Sequence, residues 1–286
     1  VVMKPAEQTP LSALRFGELV AEAGIPDGVV NIVTGYGETA GAALAAHPDV
    51  DKVAFTGSTE VGKIILKAAA GNLKKVSLEL GGKSPNIIFK DADVEQAIAG
   101  AAGAIFFNHG QCCCAGSRLF VQKEIFDRVV EGVAAEAKKI KVGSGLHPET
   151  QMGPLVSQEQ LNRVCGYLES GFEEGARAVV GGKRHGDCGY FVEPTILVNT
   201  HKKMKVIQEE IFGPVVAAIP FKSPEEVIPE ANDSVYGLAA AIWTQDISKA
   251  HALAAELKAG TVWVNCFNIF DAALPFGGYK QSGWGR

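Results

Sequence analysis

Short apolar runs alternate along this chain with longer stretches of helical period. Leu11, Leu14, Val20 and Ala23 fall roughly on one helical face. Thr9-Pro10, a capping hydroxyl followed by proline, is suited to open that helix, and Gly24 to end it. The pattern then predicts a strand at 29–33, a helix at 39–46, a strand at 52–55, a helix at 58–70 and a strand at 74–80 that runs into Gly81-Gly82. This is the β-α-β rhythm of a parallel sheet. It resumes with a strand at 86–89, a helix at 93–107, a cysteine-rich loop, a strand at 118–122 and a helix at 124–140. A loop at 143–154 and a helix at 158–174 come next, then strands at 215–219, 238–243 and 261–266 with helices at 224–231 and 246–257. The expectation is an α/β protein of two units, with Gly81-Gly82 as the hinge because glycine tolerates the backbone angles of a change in direction.

Composition narrows this. With 286 residues, 47% of them hydrophobic, the chain can bury real cores, and 33 glycines with 8% aromatic residues suit an α/β protein with many tight turns. A net charge of −5 gives no reason to expect a nucleic acid partner. The short lysine clusters, Lys74-Lys75 among them, read as solvated faces. The longest apolar run, 97–107, falls short of the ~18 residues of a bilayer span, so no membrane anchor is expected. Six cysteines without a C-x-x-C pair or a Cys/His ligand spacing point to a reducing compartment and to no metal site. Both ends read as cut from a longer protein.

Several segments could carry chemistry, each with a plainer reading beside it. Gly35-Tyr36-Gly37-Glu38-Thr39-Ala40 fits the dinucleotide pattern G-x-G-x-x-A, but no acid follows the next strand, so a tight turn explains it as well. Gly57-Ser58-Thr59-Glu60-Val61-Gly62-Lys63 has P-loop spacing, yet Ile64 stands where magnesium needs a hydroxyl. What survives is a turn at Gly57-Ser58 that either meets a phosphate at a helix N-terminus or merely caps the helix. Cys112-Cys113-Cys114 follow Asn108-His109-Gly110-Gln111, and spacing leaves open which thiol, if any, faces a cleft. None of the six histidines stands in a protease signature. Glu79 ends an alternating strand and is either a solvated strand end or a site residue. Glu209-Glu210-Ile211-Phe212-Gly213-Pro214 is either a polar loop or a site loop.

Taken together, these segments resemble the aldehyde dehydrogenase family. The matching text is Lys4-Pro5-Ala6-Glu7-Gln8-Thr9-Pro10, Phe55-Thr56-Gly57-Ser58, Leu78-Glu79-Leu80-Gly81-Gly82-Lys83-Ser84-Pro85, Gly110-Gln111-Cys112-Cys113, Glu209 to Pro214, and Pro275-Phe276-Gly277-Gly278. The Cys112-Cys113-Cys114 triplet and Trp263-Val264-Asn265-Cys266 are similar to the mitochondrial and cytosolic enzymes for small aldehydes. The resemblance implies a partial Rossmann-like NAD-binding domain at 1–80 followed by a second α/β catalytic domain at 81–286. It selects Cys113 as nucleophile and Glu79 as general base. It implies NAD as cofactor, with Lys4 and Glu7 at the adenosine ribose, Gly37 beside the adenine, Gly57 and Ser58 at the pyrophosphate, Val61, Leu80 and Gly81 lining the site, and Glu210 and Phe212 at the nicotinamide ribose and ring. Phe270 and Phe276 map to the substrate channel.

The implied reaction is oxidation of a small aldehyde to the acid, through a Cys113 thiohemiacetal and thioester, in an intracellular homo-oligomer (dimer or tetramer) of the mitochondrial matrix or cytosol. The family's oxyanion-stabilising asparagine lies upstream of Lys4 and is not in this sequence, so the isolated chain is expected to be weakly active or inactive. Two alternatives stand beside this reading: a silent structural or binding protein of the same fold, against which Cys113, Glu79 and Glu210 argue, and a nucleotide-independent cysteine esterase, against which the Lys4/Glu7 pair argues.

Overall fold

The computed structural model describes residues 1–285 and divides into two compact units, Val1–Leu78 and a second from Glu79 onward. In the first unit β1 (Val2–Met3) pairs in parallel with β2 (Asn31–Ile32), and α1 (Leu11–Glu22) makes the crossover. The helix starts at Leu11 rather than at Pro10, because Pro10 takes the capping position and no side chain caps it. Gly24 follows it with φ +77°, the left-handed conformation glycine adopts without strain. A π-type turn, Gly37–Gly41, leads into α2 (Ala42–Ala46), where one regular helix is predicted.

β3 (Lys52–Thr56) and β4 (Lys75–Glu79) are sheet neighbours on either side of α3 (Thr59–Ala69). Val53 and Phe55 of β3 turn inward while Lys52, Ala54 and Thr56 face solvent, the period-2 pattern of a half-buried strand. Lys74 corrects the expectation of a solvated lysine face: it is 8% exposed, and its ammonium donates to the carbonyls of Ala45 and His47 at 2.8 and 2.7 Å. It thereby caps the carbonyl end of α2.

The second unit is built on a seven-stranded sheet. Its strands are β5 (Pro85–Ile88), β6 (Arg118–Gln122), β7 (Arg177–Val180), β8 (Thr195–Val198), β9 (Val215–Phe221), β11 (Ala239–Trp243) and β12 (Thr261–Val264), in the order β12-β11-β5-β6-β9-β8-β7. All neighbours are parallel except β7 and β8. A separate two-stranded ribbon pairs β10 (Tyr236–Gly237) with β13 (Tyr279–Lys280).

Helices cover both faces, as the continuously apolar central strands require. Ile88, Leu119, Val121 and Val216 turn to α4 (Val94–Phe106) and α5 (Phe126–Lys139). Ile87, Phe89 and Phe120 turn the other way, to α8 (Pro224–Asn232) and α9 (Ile247–Glu256). Leu197, Val215 and Ala217 meet α6 (Gln158–Glu173), and the short α7 (Lys205–Gln208) adds Val206 and Ile207 to the same core. Among the described residues no helix is long and apolar enough to cross a membrane.

Candidate active site

In the first unit, the predicted ribose pair is formed. Lys4 Nζ lies 3.3 Å from Glu7 Oε2 and donates to the carbonyl of Gly35 at 3.0 Å, tying the Lys4 segment to the turn after β2. A bond from its own backbone N–H, with smaller help from Lys4, holds the Glu7 carboxyl below the usual carboxylate range against the opposing effect of burial. Gly37 opens the π-type turn with nothing within 4 Å of an added Cβ, so that edge is open. At the next strand-to-helix junction Ser58 Oγ accepts the N–H of Val61 at 3.3 Å and caps α3. The cap leaves the positive end of the helix dipole at Gly57-Ser58. Val61 and Gly57 are exposed beside it.

In the second unit, Glu79 is half-buried, with Oε2 shielded from solvent, and Leu80 is buried and donates its N–H to the Ser282 carbonyl at 3.0 Å. Gly81 and Gly82 are buried and not at positive φ. Their glycine character is explained by crowding and not by hinge angles: a methyl group on Gly81 would strike the Glu210 carboxylate, and one on Gly82 the carbonyl oxygen of Cys113. The Gly82 N–H donates to Glu210 Oε1 at 3.0 Å. Two residues of one dipeptide therefore bring the thiol loop and the Glu210 loop together.

The loop before the thiols is unusual in its backbone. Asn108, His109 and Gly110 are all left-handed, with φ of 48°, 59° and 67°. Asn and Gly are the residues that tolerate this best. Asn108 Nδ2 donates to the Gln111 carbonyl at 2.9 Å, and Gln111 Oε1 accepts the Val156 N–H at 3.1 Å, which fixes the loop from both sides. A methyl group on Gly110 would overlap the carbonyl of Gly213. A cavity of about 10 Å³ lies among Gly82, Gly110, Cys112, Glu210 and Phe212.

The three thiols are distinguished by their settings. Cys114 is buried, and its Sγ is 3.4 Å from that of Cys112. Cys112 and Cys113 are half-buried beside Leu238, Trp263, Cys266 and Phe276. Hydrogen bonds from Cys113 and then Cys114 draw the Cys112 thiol down to about 3. The bond with Cys112, and then burial and the charges of Cys112 and Glu210, push Cys113 up to about 11, partly offset by Cys114. At neutral pH Cys113 therefore rests as a thiol and needs a base to become a nucleophile.

Phe276 and Phe270 form an edge-to-face pair with centroids 5.4 Å apart, and Phe270 meets Trp263 at 5.4 Å. This places the predicted channel residues in one aromatic cluster, of which Phe276 packs, as Cys113 does, against the buried group that includes Cys114, Leu238 and Trp263. Phe212 is half-buried at φ +56° on the Glu210 loop. Lys83 is a feature the pattern of the sequence did not flag. Fully enclosed next to Gly82, its amine is lowered to about 7 by burial and by the Arg118 charge. Arg118 is equally buried and donates to the carbonyls of Lys83, Glu230 and Ala231.

The profile of the aldehyde dehydrogenase family matches residues 1–286. The chain is 57% identical to an aldehyde dehydrogenase of Agaricus bisporus, all of the chain aligning with 57% of that protein. It is 56% identical to the mitochondrial aldehyde dehydrogenase of Homo sapiens, again over the whole chain and 56% of the relative. Among solved structures, the NAD+ complex of an aldehyde dehydrogenase from Bacillus cereus superposes with a TM-score of 0.98 at 56% identity, over 100% of this chain and 58% of that one. The chain thus spans somewhat over half the length of the relatives it matches. With residues 1–286 matched throughout, it belongs to the aldehyde dehydrogenase family.

Proposed function

We propose that the protein carrying this chain oxidises an aldehyde to the carboxylic acid with NAD+ as hydride acceptor. The observation that carries the reading is the Gly81-Gly82 junction, where Glu210 accepts the Gly82 amide and the Cys113 backbone packs on the same glycine. A nucleophilic thiol and a ribose-binding carboxylate are thereby held on one small backbone patch.

The residues fit a dinucleotide. Glu7, kept ionised beside Lys4, can accept from a ribose diol, and the capped start of α3 at Gly57-Ser58 suits a pyrophosphate. Gly37 leaves room for the adenine, and Val61 offers an exposed apolar surface near the α3 start. On the second unit, Glu210 can accept from the other ribose, and Leu80, Gly81 and Phe212 flank it. When bound, NAD+ supplies a two-electron hydride sink.

An aldehyde carbonyl has no electron pair with which to expel hydride. Cys113 supplies one: its sulfur adds to the carbonyl carbon, a C–S bond forms, and the oxygen takes the π electrons as an alkoxide. The thiol proton goes to Glu79. Collapse of the alkoxide re-forms C=O as hydride leaves the carbon, and Cys113 holds the acyl group as a thioester. Glu79 releases the thiol proton to solvent and, again a carboxylate, removes a proton from water as it attacks; the C–S bond breaks with its electrons on the Cys113 sulfur, which takes that proton back from Glu79, and the acid leaves. Such a base contributes roughly 10²–10⁴-fold. Phe270, Phe276 and Trp263 offer an apolar wall for the aldehyde's carbon chain. The Cys113 N–H is one donor toward the alkoxide.

The test is NADH absorbance when a small aldehyde is added to the full-length protein with NAD+. Signal that needs both components and is lost in Cys113→Ala supports the proposal. Ester hydrolysis without nucleotide, and no NADH, would support a cysteine hydrolase instead.

A further inference from the structure

Of the three left-handed residues before the thiols, His109 alone is neither asparagine nor glycine, and no step of the proposed chemistry uses it. Its ring is half-buried between the thiol loop and the loop at 143–154. Nε2 lies 3.5 Å from where a methyl group on Gly153 would stand, and Nδ1 lies 3.2 Å from Gln111 Nε2. The other end of that amide is committed: Gln111 Oε1 accepts the Val156 N–H at 3.1 Å, so turning the amide over would set its NH2 group against another donor. Gln111 Nε2 is therefore the donor to His109. Nδ1 must carry the lone pair, with the ring proton on Nε2.

Protonation of the ring breaks this arrangement. An N–H at Nδ1 would face the NH2 group of Gln111, two donors with no acceptor between them. The outlet for the charged ring is the Asn108 carbonyl, which already accepts the Gln111 N–H at 2.9 Å. A bond to that carbonyl favours the charged ring, but burial outweighs it and pushes His109 below the ordinary imidazole value. The neighbouring charges are engaged elsewhere. Beside the loop at 143–154, Lys141 and Glu149 pair with each other at 2.8 Å, and His147 Nδ1 accepts the Glu149 N–H at 3.3 Å. On the thiol loop, the ionised Cys112 is bonded to Cys113 and Cys114. At neutral pH the ring is uncharged and the Gln111 clamp is closed; as pH falls through the lowered value, the ring charges and the clamp opens.

We infer that His109 is a pH-responsive positioning residue for Cys113: uncharged, it accepts the Gln111 amide and keeps the thiol loop tied to Val156, and protonated, it releases Gln111, two residues before the nucleophile. The inference rests on the proposed function, since it regulates the same thiol.

The experiment uses the full-length protein. His109→Asn keeps the left-handed backbone and places Oδ1, an acceptor that does not titrate, where the ring has Nδ1. His109→Gly keeps the backbone and removes the acceptor, and His147→Asn is the control. Each is assayed for kcat/KM over a pH series, and hydrogen exchange at the imidazole C2 position, read by mass spectrometry, gives the titration of each histidine. His109 should titrate below about 6.5. Wild type should match His109→Asn within about twofold from about pH 7 to 8.5 and fall below it by roughly tenfold toward about pH 5, because ionisations common to both cancel in the ratio. His109→Gly should be slower than wild type at every pH above neutral, and His147→Asn should follow wild type throughout. Profiles of wild type and His109→Asn that stay parallel overturn the inference, as does full activity of His109→Gly or a fall that disappears in His147→Asn. A wild type that makes no NADH at any pH would remove the proposed function instead, and the same ratio taken from iodoacetamide alkylation of Cys113 without nucleotide then decides the inference.

Discussion

Gly82 donates its amide to Glu210 at 3.0 Å, and a Cβ added to it would overlap the carbonyl oxygen of Cys113. One glycine is thus the shared floor of the thiol loop and the carboxylate loop. A Cβ there would meet backbone, which cannot swing aside like the end of a flexible side chain. We expect Gly82→Ala to lower kcat/KM of the full-length enzyme by about 10²-fold or more, ~3 kcal/mol, through displacement of Cys113. Gly71→Ala, where an added Cβ meets nothing within 4 Å, should leave it unchanged. Steady-state kinetics of the two variants decides this; equal activity would mean that the Cys113 loop is free to move.

Toward an alkylating agent Cys113 should become the most productive of the six thiols above neutral pH, and its rate should depend steeply on pH. Because its thiol is pushed up to about 11, the ionised fraction rises tenfold per unit from neutral pH toward that value. Cys112, drawn down to about 3, is already ionised and should show a flat profile. A thiolate of low basicity is also a poor nucleophile, so the Cys113 rate should overtake that of Cys112 as pH rises above neutral and the Cys113 thiolate fills. Mass-mapped labelling at limiting iodoacetamide over a pH series is the measurement. A Cys113 rate flat in pH would assign the ionised sulfur to Cys113 instead.

The sequence pattern located nearly every element that positions these groups, and its misses have physical causes. β7 and β8 were not anticipated: each has only four residues, too few to show a period, and glycines 181 and 182 follow the first. Lys74 could not be told from a surface lysine, because its partners, the carbonyls of Ala45 and His47, are far away in sequence. The same holds at the candidate site. A strand-end glutamate and a cysteine triplet are visible as residues, but the choice of Cys113 came from family resemblance, not from spacing. Gly81-Gly82 was legible as glycine, but the crowding by Glu210 and Cys113 that requires glycine there exists only in three dimensions.

Lys74 gives a stability prediction in the first unit. Lys74→Met keeps the buried stem and removes the ammonium, leaving the Ala45 and His47 carbonyls without their donor. Unsatisfied buried acceptors cost on the order of 1–3 kcal/mol each, and partial rehydration lowers the sum, so a loss of ~2 kcal/mol is expected. Denaturant unfolding of the variant measures it. A midpoint equal to wild type would show that the C-terminal end of α2 finds other partners.

Replacing Glu79 separates the two halves of the proposed reaction. Glu79→Gln removes the base for water and leaves Cys113 in place. The variant should still give a burst of NADH approaching the number of sites, slower than in wild type because Glu79 also takes the thiol proton, followed by turnover roughly 10²–10⁴-fold slower than wild type. Rapid mixing with an aldehyde and NAD+ resolves the burst. Normal steady-state turnover would remove Glu79 from the mechanism.

Cofactor choice should turn on Glu7. Its carboxyl is held below the usual carboxylate range by its own backbone N–H and then by Lys4, so it is ionised throughout the neutral region. A carboxylate that accepts from a ribose diol also repels a phosphate on the same ribose, whereas Lys4, 3.3 Å away, would attract one. The acid therefore decides the sign. Wild type should prefer NAD over NADP in kcat/KM, and Glu7→Gln, which keeps the shape but removes the charge, should narrow that preference by about tenfold, ~1.4 kcal/mol, mostly through a lower KM for NADP. The effect should shrink as ionic strength rises, because Glu7 is exposed and its field is screened by salt. Kinetics with both nucleotides at low and high salt provides the check. An unchanged NAD to NADP ratio in Glu7→Gln would move the selection of the cofactor to residues other than Glu7.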